Sequence, residues 1–139
     1  MFLEAIKQAD NIKFTSEELE LLTGINDIKP CLDALLNKNQ VAVITLGKEG
    51  SIFYSNNKLI KGPSIEIKPV DTTGAGDTFY SYFLYELDRG LDIASTELIK
   101  NALLRANVIG GLATQKKGAI DVVPSIEEVE NFISNKKIY

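Results

Sequence analysis

The run Asp71-Thr72-Thr73-Gly74-Ala75-Gly76-Asp77-Thr78-Phe79 joins an anion cradle to a carboxylate. Three small residues, Gly74, Ala75 and Gly76, leave backbone N–H groups uncovered where a helix should begin, and a phosphoryl oxygen fits against that positive helix end. Asp77 stands beside the cradle. A carboxylate there repels a resting phosphate, so its place is explained if it takes a proton from a hydroxyl attacking phosphorus. Histidine is absent, which leaves a carboxylate, a lysine or a tyrosine as the base. Two common phosphate motifs do not apply. No Gly is followed by Lys-Ser or Lys-Thr as a Walker A loop requires, and Phe79 stands where a dinucleotide fingerprint has its third glycine. A plain strand-to-helix turn is the competing account of the glycines.

These residues need elements to hold them. Phe2 and Ile6 sit at amphipathic helical spacing, and Asn11-Ile12-Lys13-Phe14 is short enough for a strand. Thr15 and Glu18 fit a capping box for a helix through Leu22 that Gly24 ends. Asp27 suits the cap of the next helix, with Leu32, Leu35 and Leu36 pointing inward. Val41-Ala42-Val43-Ile44-Thr45 is a continuous apolar run, as in a central strand buried on both faces. Thr45, Gly47 and Gly50 follow it in what reads locally as a turn. Residues 51–55 and 58–60 predict a hairpin turning at Asn56-Asn57, and Ile65-Glu66-Ile67 alternates similarly. A helix is expected from Thr78 to Leu87, closed by Gly90, and a longer one from Thr96 to Thr114. In the latter Ala102, Ala106, Gly110 and Ala113 form a small-residue surface, read either as close packing on another helix or as the floor of a base site. Ser125 and Glu128 predict a capping box for a last helix. Strands separated by helices, with a hairpin inserted, predict an α/β sheet covered on both faces, its ligand at the C-terminal strand ends.

Composition narrows the setting. The 139 residues suit one domain, and 45% hydrophobic with 24% charged residues is ordinary for a globular chain. The net charge of −4, with no basic tract, argues against nucleic-acid binding. No apolar run of about 18 residues suggests a membrane span, and the charged start does not resemble a signal peptide, so a cytoplasmic location is expected. Cys31 is the single cysteine and is expected to be a buried small hydrophobe.

The signature run resembles that of the ribokinase-like (PfkB) carbohydrate kinases. The resemblance continues through Ala9-Asp10-Asn11-Ile12-Lys13-Phe14-Thr15-Ser16-Glu17-Glu18-Leu19, Thr45-Leu46-Gly47-Lys48-Glu49-Gly50, Arg105-Ala106-Asn107 and Lys117-Gly118-Ala119, in the family's order. It implies a three-layer α/β/α sandwich with a mostly parallel sheet, of which residues 1–139 are a single partial domain, the nucleotide-binding C-terminal portion. The family's N-terminal sugar-binding and lid portion is expected to be absent. By resemblance Asp77 is the catalytic base, and Gly74, Ala75 and Gly76 form the anion hole. Thr45, Gly47 and Gly50 correspond to the loop beside the ATP phosphates and ribose, and Asn107 to an adenosine-side asparagine. Read alone, an Asn in mid-helix is more often solvent-facing. Asp71 and Thr73, with carbonyls around Ala113, Lys116, Gly118 and Val122, fall where relatives bind a monovalent cation, usually potassium. Glu18 matches the glutamate that acts near magnesium through water. Thr15 replaces the asparagine of ribokinases, and the stretch from Lys13 to Glu18 is more similar to fructokinases. The implied activity is transfer of the ATP γ-phosphoryl group to a sugar hydroxyl with Mg²⁺. Two alternatives stay open: a nucleotide-binding or self-associating module without turnover, and a kinase for another acceptor such as 2-keto-3-deoxygluconate or a nucleoside. The implied partners are ATP, a small sugar, and either a second copy of the chain or the missing N-terminal portion.

Overall fold

A computed structural model describes residues 2–65, 75–115 and 124–135. Within them α1 (Phe2–Gln8), β1 (Asn11–Thr15), α2 (Ser16–Thr23) and α3 (Ile28–Leu35) lead to β2 (Val41–Thr45). A short 3₁₀ turn at Gly47–Glu49 is followed by β3 (Ser51–Ser55), β4 (Lys58–Lys61), α4 (Ala75–Asp88), α5 (Thr96–Ala113) and α6 (Ile126–Ser134). None of the described helices is long and apolar enough to cross a membrane.

The strands form one sheet in the order β1-β2-β3-β4. β1 and β2 run parallel with Thr15 opposite Thr45, while β2–β3 and β3–β4 are antiparallel. The sheet is therefore mixed among the described strands, because the hairpin supplies both antiparallel pairings. Asn56 and Asn57 make that hairpin turn at φ 49° and 64°, the left-handed backbone that asparagine tolerates.

Alternation along β2 divides the core into two layers. Val41 and Val43 pack with Phe53, Ile60, Phe79, Phe83 and Leu103 on one side. Ala42 and Ile44 pack with Phe14, Leu19, Leu32 and Tyr54 on the other. This is why β2 reads as an unbroken apolar run: it is an inner strand with helices α4 and α5 over one face and α1, α2 and α3 over the other. The Tyr54 hydroxyl donates to the Asp33 carboxylate, tying α3 to the sheet. That contact, with Lys29, holds Asp33 below the usual carboxylate range. Burial, then Asp33, push Tyr54 up to about 12.

Helix ends follow the side chains that cap them, with exceptions. Thr15 accepts from the Glu18 N–H at 3.1 Å and Gly24 ends α2 in left-handed backbone. Ser125 and Glu128 form the complete capping box. Asp27, expected as a side-chain cap, sits at the N-cap of α3 but makes no capping hydrogen bond. Helix α4 begins at Ala75, three residues before the expected Thr78, so Asp77 lies inside its first turn. Cys31 is buried, its Sγ 3.2 Å from the Ile25 carbonyl oxygen and 3.0 Å from the Thr23 hydroxyl.

Candidate functional site

Parallel pairing puts the C-terminal ends of β1 and β2 side by side, and a cavity of about 710 Å³ opens there. Such a volume accommodates a small molecule, and the C-terminal end of a parallel pair is where α/β sheets place ligands. Thr15 and Thr45 contribute hydroxyls from the strand ends. The turn after β2 contributes Gly47 and Gly50, at φ values of 62° and 99°, together with Lys48 between them. Ala75 and Gly76 enter from the first turn of α4, and Asn107, Gly110 and Thr114 from α5. Seven sequence-predicted residues thus meet in one space: Thr15, Thr45, Gly47, Gly50, Ala75, Gly76 and Asn107.

The small-residue surface of α5 serves helix packing and the cavity at once. A Cβ on Gly110 would stand 3.0 Å from the Ala75 carbonyl oxygen and 3.3 Å from the Phe79 Cβ, so glycine is what lets the start of α4 lie against α5. Asn107 does not face solvent. It is partly buried and its side-chain amide donates to the Pro63 carbonyl at 2.9 Å, fastening α5 to the segment after β4. Thr114 donates to the Gly111 carbonyl at the end of α5.

Asp77 is exposed and faces a different space. A groove of about 640 Å³ runs from Asp77 along Ser81, Tyr82 and Tyr85 of α4 to Arg105 of α5 and Pro124, Val129 and Glu130. Arg105 pairs with Glu130 across α5 and α6, which raises the Arg105 pKa. Burial, then Glu86, push Tyr82 up to about 12. The Arg89 guanidinium lies 5.3 Å from the Tyr85 ring centre. The first turn of α4 is thus a partition, with Ala75 and Gly76 turned to the cavity and Asp77 to the groove.

Of the remaining expected residues, Gly74, Asp71, Thr73, Lys116, Gly118 and Val122 lie outside the described residues. Ala113 is buried at the C-terminal end of α5. Glu18 is exposed, and its neighbour Glu17 rather than Glu18 lines the cavity. No group of three or more His, Cys, Asp or Glu side chains is gathered to hold a metal among the described residues. That donor set fits magnesium only as an ion carried largely by phosphates and water, with carboxylate help from the start of α2. Sequence reasoning quoted Lys13 within a motif but gave it no task; the structure puts it in the cavity wall. The available signal was alternation, since Lys13 interrupts the apolar Ile12 and Phe14 on the same side of the strand as Thr15.

Known proteins share this fold. The profile of the pfkB family carbohydrate kinases matches residues 1–126. A fructokinase of Vibrio alginolyticus is 35% identical over 134 residues, covering 94% of this chain and 43% of that protein. The crystal structure of fructokinase from Vibrio cholerae O395 with fructose, ADP and calcium superposes with a TM-score of 0.80 at 36% identity, over 94% of this chain and 42% of that one. The aminoimidazole riboside kinase of Salmonella enterica, solved with aminoimidazole riboside and an ATP analogue, matches with a TM-score of 0.80 at 28% identity, over 96% of this chain and 45% of that one. The chain thus spans less than half the length of these relatives, and its fold is ribokinase-like.

Proposed function

The chain belongs to the pfkB family of carbohydrate kinases, and from that premise we propose that it carries the ATP site and catalytic base of a fructokinase-like sugar kinase. The observation that carries this reading is the partition at α4, where adjacent residues Gly76 and Asp77 face separate spaces. A nucleotide in the cavity would present its terminal phosphate to the α4 amides, while an acceptor reaching Asp77 would come from the other side. The acceptor oxygen then forms a bond to the γ-phosphorus, the bond from that phosphorus to the β–γ bridging oxygen breaks, and the hydroxyl proton passes to the Asp77 carboxylate. ADP departs with the bond electrons.

In a loose transition state, charge spreads over the transferred phosphoryl oxygens. Oriented amides of Gly74, Ala75 and Gly76 would stabilise it at about 2.7–4 kcal/mol per donor, as in other anion holes. An aspartate suffices as base, because proton transfer late in such a reaction asks little of it. Thr45, Gly47 and Gly50 would border the phosphates and ribose, and Asn107 the adenosine side. Magnesium would offset phosphate charge, with Glu18 and Glu17 at the start of α2 as its nearest carboxylates. A potassium ion near Asp71, Thr73 and the Ala113 carbonyl is part of the same proposal. Residues outside this chain would supply sugar selection and the lid, consistent with relatives more than twice its length. Fructose is the proposed acceptor because fructokinases are among the relatives above 30% identity.

An assay coupling ADP release to a panel of sugars, with this chain and a version extended to the length of its relatives, tests the reading. Fructose-dependent ADP release by the extended protein is expected. Absence of sugar-dependent turnover in both, with ATP still bound, would instead support a nucleotide-binding module. One observation favours considering it: β1 is hydrogen-bonded to a neighbour, β2, on only one side among the described strands, and an open edge invites pairing with another chain.

A further inference from the structure

Lys13 stands in the middle of β1, where alternation sends Ile12 and Phe14 to the layer under α2 and α3. Its own side chain therefore joins Thr15 on the face covered by α4 and α5. It is partly buried and lines the 710 Å³ cavity. A lysine in such a wall ordinarily extends its stem to bring the ammonium to water. Here the end of the side chain lies over Gly76: a Cβ on that residue would come within 2.9 Å of Lys13 Nζ and 3.5 Å of its Cε. No hydrogen bond or ion pair engages Lys13 among the described residues.

An ammonium beside the positive end of a helix is a like-signed neighbour, and both lose hydration in a partly buried wall. An anion entering the cavity meets both groups at once, and both act on it. We propose that Lys13 is a phosphate-binding residue of this cavity. Its ammonium takes the terminal phosphate of a nucleoside triphosphate together with the Ala75 and Gly76 amides, which it lies beside. This rests on the cavity being the nucleotide site. Lys13 forms no covalent bond; it lowers the energy of charge on the phosphoryl oxygens while Asp77 receives the acceptor's proton.

The test is calorimetric titration of the chain with ATP and, separately, adenosine, for the unmodified protein, Lys13→Met, Lys13→Gln and Lys13→Arg. Loss of one charge-assisted contact predicts ATP binding at least about tenfold weaker in Lys13→Met, with adenosine affinity unchanged within about twofold. The salt dependence of ATP binding should flatten in Lys13→Met, and Lys13→Arg should keep most of the affinity. If Lys13→Met does not fold, Lys13→Gln gives the second arm, because it keeps a polar stem without the charge and should weaken ATP selectively. ATP binding equal to the unmodified protein, or equal losses for ATP and adenosine, overturns the assignment of Lys13 while leaving the cavity as the nucleotide site. If the unmodified protein binds neither ATP nor adenosine, the nucleotide reading itself fails and Lys13 falls with it.

Discussion

The two hollows on either side of the α4 first turn are built differently. The cavity beside Gly76 is walled largely by backbone, glycines and short hydroxyls set by strand ends, with Lys13 from β1 and Lys48 from the turn after β2. The groove beside Asp77 is walled by long side chains, among them Tyr82, Tyr85, Arg89, Arg105 and Glu130. Backbone amides fixed by parallel pairing and a helix start cost little reorganisation when an anion arrives, which suits a polyphosphate. Long polar and aromatic side chains adapt to a surface instead. Under the proposed function, position and charge recognition are concentrated on one side of a single helical turn, while the other side presents the proposed proton acceptor.

Breaking the groove side should cost most. Asp77→Asn in the extended enzyme is expected to lower kcat by about 10²–10⁴-fold with ATP affinity nearly unchanged. Steady-state kinetics alongside nucleotide titration checks this, and a parallel loss of ATP binding would show that the two hollows are not independent. Removing the packing beneath both comes next. Phe83 is buried between Phe53 and Phe79, with ring centres at 6.1 and 6.5 Å. Phe83→Ala should therefore destabilise by about 3–5 kcal/mol in urea unfolding. Gly110→Ala presses a methyl against the Ala75 carbonyl; overpacking of about 1–3 kcal/mol is expected. Because α4 shifts as a whole, ATP binding and turnover should fall together there, unlike in Asp77→Asn.

Tyr54, on the opposite face of the sheet, sharpens the contrast as a site remote from both hollows. Its pKa rises from 10.0 to about 12 on folding, so its contribution is fully present below pH 10 and disappears as pH rises toward 12. Chemical denaturation across that window should show a decline that Tyr54→Phe partly removes. The smallest effect belongs to Arg105→Met. Its pair with Glu130 is substantially exposed, so stability should change by at most about 1 kcal/mol and ATP affinity not at all.

Much of this was legible beforehand because local rules speak clearly in some segments. The apolar run of β2, the Asn56-Asn57 hairpin and the Ser125–Glu128 capping box follow from alternation, positive φ and reciprocal capping, which depend on neighbours in the chain. Asp27 illustrates the limit: an N-cap residue type occupies the N-cap position without making the bond, because backbone geometry and side-chain rotamer are set by how α3 seats on the sheet. Asn107 illustrates another. Its Pro63 partner is 44 residues away, and no local pattern reveals it. Lys13 was in plain view, yet its relation to Gly76 required β1 and α4 to be brought together.

By itself the sequence determined an α/β chain and pointed to a candidate site at the glycine-rich start of a helix, since strand alternation, helix caps and an Asp beside small residues are properties of short windows. Only the tertiary structure decided that Gly76 and Asp77 face different hollows, that Glu17 rather than Glu18 reaches the cavity, and that a lysine with no ion pair among the described residues stands over Gly76. Which side of a helical turn meets which surface depends on packing between distant elements, and that is fixed by the core as a whole.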